Sequence, residues 1–451
     1  MYKIKQLILI SITLPVLLNF AVGKEYEITE NWIPMHDDVQ LAADLYWPSD
    51  FKEGEVYPVL LEYIPYRKDE SRGRNYPLYS YFLDNGYIVA RVDIRGTGRS
   101  EGRVIPNEYS EIELNDGEDV IEWLSAQKWS NGNVGMFGIS WGGFNSMQMA
   151  MRNPPALKAF VAVMATEYLY EEDVHYIDGI MVAGDSWMMS NDLYNSLPGA
   201  PDFTMDEEWY ENRFDVEPSV YKYMRQQRDG PFWDRASAKN KYDLIKIPGY
   251  HIGGWYDGYR NSLPRMIENV SAPVKAMIGP WDHDFPHNAA LKPQVEWRHE
   301  AVRWFDQWLK QVDTGILEEP KFAVYIRDYH QPDDSIEYIP GYWRWENEWP
   351  PADLSKQTFY GHDNHYLSPE KSKFVEHKLK NKPSIGLEGG GPTMWWGSIP
   401  PDQKPMDKDS LFYDSDIFDE SFEILGRPCL LYTSDAADEG LGVDLGGRRI
   451  I

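Results

Sequence analysis

Cysteine is nearly absent: Cys429 is the single one in 451 residues, which excludes an intramolecular disulfide and a thiolate metal cage. Positive charge is scarce as well. Lys and Arg number 44 against 72 Asp and Glu, a formal net charge of -28, and such a surface repels phosphate backbones and anionic lipids within a Debye length. No nucleic acid is expected as a partner, and the acidity reads first as solubility and only second as attraction for a cationic substrate. The chain shows no uninterrupted apolar run of the ~20 residues that span a bilayer, and no repeat of fixed period. A multi-span membrane protein, a solenoid and a propeller therefore lack support. What is present is ordinary globular material, 42% hydrophobic and 26% charged, in a length that corresponds to about three domains.

The longest apolar stretch lies at the N-terminus. Lys3 and Lys5 lead residues 7–20, which are interrupted by Ser11, Thr13, Pro15 and Asn19 and followed by the small residues Ala21 and Gly23. This is a secretory signal rather than an anchor, so residues 1–23 are expected to be cleaved after Gly23, giving a secreted or periplasmic protein with no stable membrane association. At the other end, residues 429–451 (CLLYTSDAADEGLGVDLGGRRII) resemble a translated sequencing-library adapter and are expected to add nothing to the fold; a Gly-rich native tail is the alternative.

Between the ends, β-branched and aromatic runs alternate with helical patterns. Residues 56–64, 87–93, 133–139 and 159–164 read as strands, and residues 114–127 and 142–151 as helices between them. Repeated β-α-β order predicts a parallel sheet wrapped by helices. From residue 167 to about 241 the pattern shifts to helical pieces rich in Trp, Met and Tyr, which reads as an insertion. Strands resume at residues 247–253 and 274–278, followed by an amphipathic helix over 296–310 carrying Trp297, Val302, Phe305 and Leu309. After Gly315, short strand-like segments at 321–327, 342–345 and 357–360 suggest the start of a β-sandwich that does not close. Its unpaired edges are expected to promote association.

The sharpest chemical feature is Gly138-Ile139-Ser140-Trp141-Gly142-Gly143, set between a strand and a helix. A Ser on that turn projects its hydroxyl above the sheet, with the next backbone N–H facing a developing oxyanion, so Ser140 is the candidate nucleophile. A hydroxyl needs a His to take its proton and a carboxylate to orient that His, in the chain order Ser, Asp or Glu, His. Asp257 follows the strand at 247–253 and His283 follows the strand at 274–278, which completes the set Ser140, Asp257 and His283. His251 lies within a strand and reads as a satisfied core residue; His287 is the rival base. A metal site from Asp282, His283, Asp284 and His287 is the competing view, but Pro280 and Pro286 argue for a loop rather than the helix that i, i+4 ligands need, and no metal is assigned.

The chain resembles the cocaine esterase/NonD family of serine hydrolases, which also contains prolyl dipeptidyl-peptidases and α-amino-acid ester hydrolases. The matching stretches are YIPYRKD at 63–69, DIRGTGRSEG at 93–102, QKWSNGNVGMFGISWGGFN at 127–145, GGWYDGY at 253–259, GPWDHDFPH at 279–287 and RWFDQWLK at 303–310. The likeness runs from about residue 32 to 317 and more weakly to about 428. It implies an α/β-hydrolase core in two parts (24–166 and 242–316), a helical cap (167–241) and a partial jelly-roll domain (317–428). It also implies the same Ser140, Asp257, His283 triad, and an oxyanion hole from the Trp141 backbone N–H and the Tyr66 hydroxyl, with no cofactor.

Departures limit the carry-over. Trp141 stands where relatives often have Tyr. Gly258, Tyr259 and Arg260 stand where relatives that hydrolyse α-amino-acid esters carry carboxylates after the orienting Asp. The acidic residues of the cap, Glu167, Glu171, Glu172, Asp173 and Asp178, read as a solvated face, and Trp187, Trp209 and Trp233 either line an acyl pocket or pack within the cap. The expected activity is therefore cleavage of a small ester or amide, or of a short peptide. The alternatives are release of X-Pro dipeptides and a non-catalytic binding protein that keeps the hydrolase scaffold.

Overall fold

A computed structural model describes residues 26–177, 180–182, 196–199, 201–373, 376–380, 382, 384 and 402–430. Residues 1–23, expected as a signal segment, Asp178, Trp187 and nearly all of residues 429–451 lie outside them.

The apolar runs form the strands that their composition predicts: β3 (Tyr57–Ile64), β4 (Ile88–Asp93), β5 (Ser130–Ile139) and β6 (Leu157–Val163) are buried along most of their length. Such runs suit a sheet covered on both faces. Before them, β1 (Glu27–Pro34) and β2 (Gln40–Trp47) form an antiparallel hairpin, and within the insertion β7 (Tyr176–Ile177) and β8 (Ile180–Met181) make a two-residue one. The later strands are β9 (Gly249–Gly254), β10 (Val274–Gly279), β11 (Phe322–Arg327) and β12 (Gly341–Glu346). All but the small hairpin join one sheet in the order β1-β2-β4-β3-β5-β6-β9-β10-β11-β12. From β4 to β11 every neighbouring pair is parallel, and antiparallel strands sit at both edges. The architecture is that of an α/β hydrolase.

One boundary differs from the sequence expectation. The segments at 321–327 and 342–345, taken as the start of a sandwich, extend the central sheet, because Ala276 to Ile278 of β10 pair in parallel with Phe322 to Val324. Within its expected bounds the first core part opens with the β1–β2 hairpin, whose strands the sequence did not mark by apolar alternation. Beyond β12 the described C-terminal pairing is the short hairpin Tyr360–Gly361 with Leu367–Ser368.

Helices cover the sheet as their periodicity requires. In α2 (Glu111–Ala126) the buried Leu114, Gly117, Val120, Ile121 and Leu124 follow a 3.6-residue spacing. Helix α1 (Arg72–Asp84) and helix Trp297–Leu309 pack on the sheet, the latter burying Trp297, Ala301, Val302, Trp304, Phe305 and Leu309. Helix α3 (Trp141–Arg152) is buried from Trp141 to Ala150 and lies against β5 and β6.

Inside the sheet, a charged pair sets the register. Glu62 of β3 lies directly opposite Arg91 of β4, and the Arg91 Nη1 donates to the Glu62 carboxylate at 2.5 Å and to the Tyr79 hydroxyl at 2.8 Å, while that hydroxyl donates to Glu62. A one-residue slip would leave both charges buried and unpaired. Arg91→Met is expected to lower the unfolding free energy by about 3–5 kcal/mol in urea titrations, because it leaves a buried carboxylate without its cation. Adding Glu62→Leu should restore most of that loss. A double variant as unstable as the single one would show that the ion pair is not the interaction at stake.

Candidate active site

Ser140 follows the last residue of β5 and precedes the first of α3, at φ 56° and ψ -123°. A non-glycine residue with positive φ is strained by roughly 1–3 kcal/mol, and here the surroundings enforce it. The Ser140 N–H donates to Val163 O at 3.0 Å, and its carbonyl accepts from Phe144 N at 2.9 Å to begin the helix. The flanking glycines are steric necessities. A Cβ on Gly138 would lie 2.6 Å from Gly142 Cα, and one on Gly143 would lie 2.9 Å from both Ala165 Cβ and Val163 O. Strand and helix can meet at this angle only without those side chains, and the meeting thrusts the serine side chain out of the sheet.

The loops after β9 and β10 are clasped to each other. Trp255 N donates to Gly279 O at 2.9 Å and Tyr256 N to Trp281 O at 3.0 Å. A Cβ on Gly254 would sit 2.2 Å from Trp281 O, so the clasp also depends on glycine. It brings Asp257 and His283 together. Asp257 is fully buried, its Oδ2 bonded to His283 Nδ1 and its Oδ1 accepting from Tyr259 N at 2.9 Å. His287 has another partner: its Nδ1 accepts the Trp297 indole N–H at 2.9 Å, and burial pulls its pKa down to about 4. The two rings thus turn to different neighbours. His251 is buried edge-on to Phe160, its pKa also pulled down to about 4 by burial. Contrary to expectation it is not satisfied, since its Nε2 has no hydrogen-bond partner among the described residues.

Tyr66 lies two residues beyond the end of β3. Ser140 and the Trp141 backbone N–H lie close enough to its hydroxyl to favour the ionised form, but removal from water outweighs them and pushes its pKa up to about 12. The phenol therefore stays protonated and able to donate. Its ring meets Trp141 edge-on at 6.5 Å. Tyr109 and Phe144 continue the aromatic contacts, stacked at 5.2 Å, and Phe144 meets Tyr259, whose ring is 5.8 Å from His283. The five residues expected from the sequence thus lie at the C-terminal ends of β3, β5, β9 and β10: Asp257 bonds His283, and Tyr66 lies beside Ser140 and meets the Trp141 ring.

Comparison with known proteins follows this geometry. The family model described as X-Pro dipeptidyl-peptidase (S15 family) matches residues 37–284. The chain belongs to the S15 peptidase family. Among relatives, it is 27% identical to the cocaine esterase of Rhodococcus sp. (strain MB1 Bresler) over 75% of this chain and 63% of that protein. It is 23% identical to a Xaa-Pro dipeptidyl-peptidase of Lactobacillus helveticus over 78% of this chain and 46% of that one. The S15 chain thus spans under two thirds of the length of each. Similar solved structures include a CocE/NonD family hydrolase from Staphylococcus aureus (20% identity, TM-score 0.59, 77% of this chain and 60% of that one). An α-amino acid ester hydrolase matches with 21% identity and TM-score 0.57 over 82% of this chain and 68% of that one. They establish the shared fold.

The S15 chain also buries acidic groups that the sequence placed on a solvated face. Burial works to raise the Glu167 carboxyl, but Arg265 outweighs it at 2.5 Å and holds the group below its ordinary range; Arg265 also pairs with Glu172 at 2.7 Å. Asp173 is pushed up by burial against the pull of His175, and accepts from the Tyr259 hydroxyl at 3.1 Å. Glu108, buried beside it, bonds His175 Nε2 at 2.6 Å and accepts from the Tyr223 hydroxyl at 3.1 Å. These contacts tie the inserted segment to the sheet ends. Trp233 is fully buried among Tyr170, Tyr176 and Tyr223, so it packs within the insertion, and Trp209 lies against Phe214. Sequence reasoning missed Glu108 and Glu113. The one available signal was Trp141, since an indole placed next to the nucleophile requires an acceptor for its N–H.

Because Ser140 holds a left-handed φ, Ser140→Gly should be more stable than Ser140→Ala by about 1 kcal/mol, as alanine shares the strain that glycine escapes. Urea midpoints of the two variants measure it, and equal midpoints would mean that the elbow carries no strain.

Proposed function

We propose that this protein is a serine hydrolase that cleaves an acyl ester or amide. The observation that carries the proposal is Ser140 on a strained elbow next to the Tyr66 phenol, at the same strand-end edge where buried Asp257 orients the His283 ring. His283 takes the Ser140 proton at Nε2 as Oγ bonds the acyl carbon, and the carbonyl electron pair moves to an oxyanion facing the Tyr66 O–H and Trp141 N–H. Collapse breaks the bond to the leaving group, which takes the proton from His283 and departs as alcohol or amine. Water then attacks the acyl-enzyme with His283 again as base, releasing the acid and restoring Ser140. Asp257 holds the imidazolium and gains no proton. Every proton is returned, so neither cofactor nor metal enters the balance.

Export belongs to the same proposal, supported by Lys3, Lys5 and the apolar stretch over residues 7–20.

A fluorophosphonate probe should label the folded wild type and not Ser140→Ala. Tyr66→Phe should retain KM and lose about 10²- to 10³-fold in kcat, the usual effect of deleting one oxyanion donor. Folded wild type that resists the probe would move a non-catalytic binding role to first place.

A second reading, release of X-Pro dipeptides, is favoured by the buried pair Glu108 and Asp173, whose carboxylates suit an N-terminal amine. It predicts that X-Pro anilides are cleaved and that acetylating their N-terminus abolishes turnover. Equal rates on free and acetylated substrates would sink it.

A further inference from the structure

We propose that Glu113 is a positioning residue for the oxyanion hole, acting through the indole of Trp141. The inference rests on the serine-hydrolase reading above and extends it to a residue outside the triad and its donors. Glu113 lies in the first turn of α2, fully buried. Its Oε1 accepts the Trp141 indole N–H at 2.8 Å and the Asn145 amide at 3.1 Å, and its Oε2 accepts Tyr109 N at 2.6 Å. Among the described residues no Lys or Arg forms an ion pair with it. Three neutral donors replace the cation that a buried carboxylate ordinarily requires, and two of the three come from the first turns of the helix that the nucleophile opens.

The connections reach both sides of the hole. The Glu113 carbonyl accepts the Tyr63 hydroxyl at 3.1 Å, and Asn145 also donates to Tyr63 O at 2.9 Å, so α2 grips the end of β3 from which Tyr66 extends. Through the indole it grips the residue whose backbone N–H is the other donor. A peptide next to a strained serine has freedom to rotate, and a displacement of 1 Å at such a donor costs up to ~10²-fold in rate. An anchor on the side chain of the residue that carries that peptide N–H is what stops it. Tyr at this position would carry its donor farther from the backbone and aimed along the ring axis, so the Glu113 contact belongs to the Trp that this chain carries.

The groups around Glu113 define its titration. Trp141 and Asn145 face it from α3, Tyr63 from β3, and Tyr109 and Glu108 from the preceding loop; Glu108 in turn holds His175 and Tyr223, and Arg235 donates to the Tyr109 carbonyl at 3.2 Å. Burial raises the Glu113 pKa to about 7, against the three donors and with the help of Glu108. Protonation removes the charge that the three donors converge on, so the grip weakens as pH falls through that value.

The test is steady-state hydrolysis of p-nitrophenyl butyrate by the full chain as wild type, Glu113→Gln, Trp141→Phe and the double variant, with urea midpoints confirming folding. The glutamine keeps an oxygen for the indole but turns an amide N–H toward Tyr109 N–H; the phenylalanine keeps the ring and deletes the indole donor. Each single variant should lose about tenfold or more in kcat with KM within twofold, and the double should be no slower than the worse single, because both break one contact. The acid limb of kcat should fall with more than one proton in wild type and with one in Glu113→Gln. Additive losses, a change in KM alone, or an unaltered acid limb would overturn the proposal. If Glu113→Gln does not fold, Trp141→Phe decides: a loss in kcat at constant KM supports the proposal, and an unchanged kcat overturns it. Wild type that neither turns over ester nor takes a fluorophosphonate label would instead overturn the serine-hydrolase reading.

Discussion

The left-handed backbone of Ser140 is the constraint on which the rest of the site depends. That conformation is unfavourable for serine, and it persists because β5 and α3 meet too closely at Gly138, Gly142 and Gly143 for any alternative. The elbow sets where α3 begins and brings Ser140 and Trp141 beside the Tyr66 phenol, while the Glu113 contact with the Trp141 indole holds the first residue of the helix. Parallel strands complete the arrangement, since β3, β5, β9 and β10 all end at the same edge of the sheet. Asp257 and His283, 117 and 143 residues beyond the serine in sequence, arrive beside that edge because their strands run the same way as β5.

Around this edge the chain buries carboxylates in three different electrostatic settings. Glu62 and Glu167 are matched by Arg91 and Arg265. Asp257 is matched by a histidine and a backbone N–H. Glu113 is held by neutral donors alone, and it is driven up toward neutrality by burial. The first kind fixes strand register and anchors the inserted segment; the second orients an imidazole; the third, with the weakest compensation, sits nearest the start of α3. In a chain with a net charge of -28, the buried acids rather than the exposed ones carry the structural information.

Much of this was legible from residue order. The strands at 56–64, 87–93, 133–139 and 274–278 and the helix at 296–310 follow from apolar runs and 3.6-residue spacing, because burial selects those patterns locally. Gly138-Ile139-Ser140-Trp141-Gly142 named the nucleophile turn, and Asp257 and His283 followed from their places just past strand ends. Other features escaped for physical reasons. The β1–β2 hairpin is held by pairing with β4 rather than by its own alternation. Residues 322–346 look like sandwich strands in isolation and join the central sheet because β10 offers them an edge. Glu167, Glu172 and Asp173 resemble a solvated acidic run until Arg265, Tyr259 and His175, distant in sequence or turned inward, arrive to meet them.

The sequence by itself determined the fold class and the chemical types at the site, since backbone periodicity, glycine at a steric bottleneck and the order of Ser, Asp and His are local or ordinal properties. Only the tertiary structure decided which histidine meets Asp257, which strands share the sheet, and that Glu113 grips the Trp141 indole. Those outcomes depend on hydrogen bonds between residues up to a hundred positions apart, and no local pattern records a partner chosen at that distance.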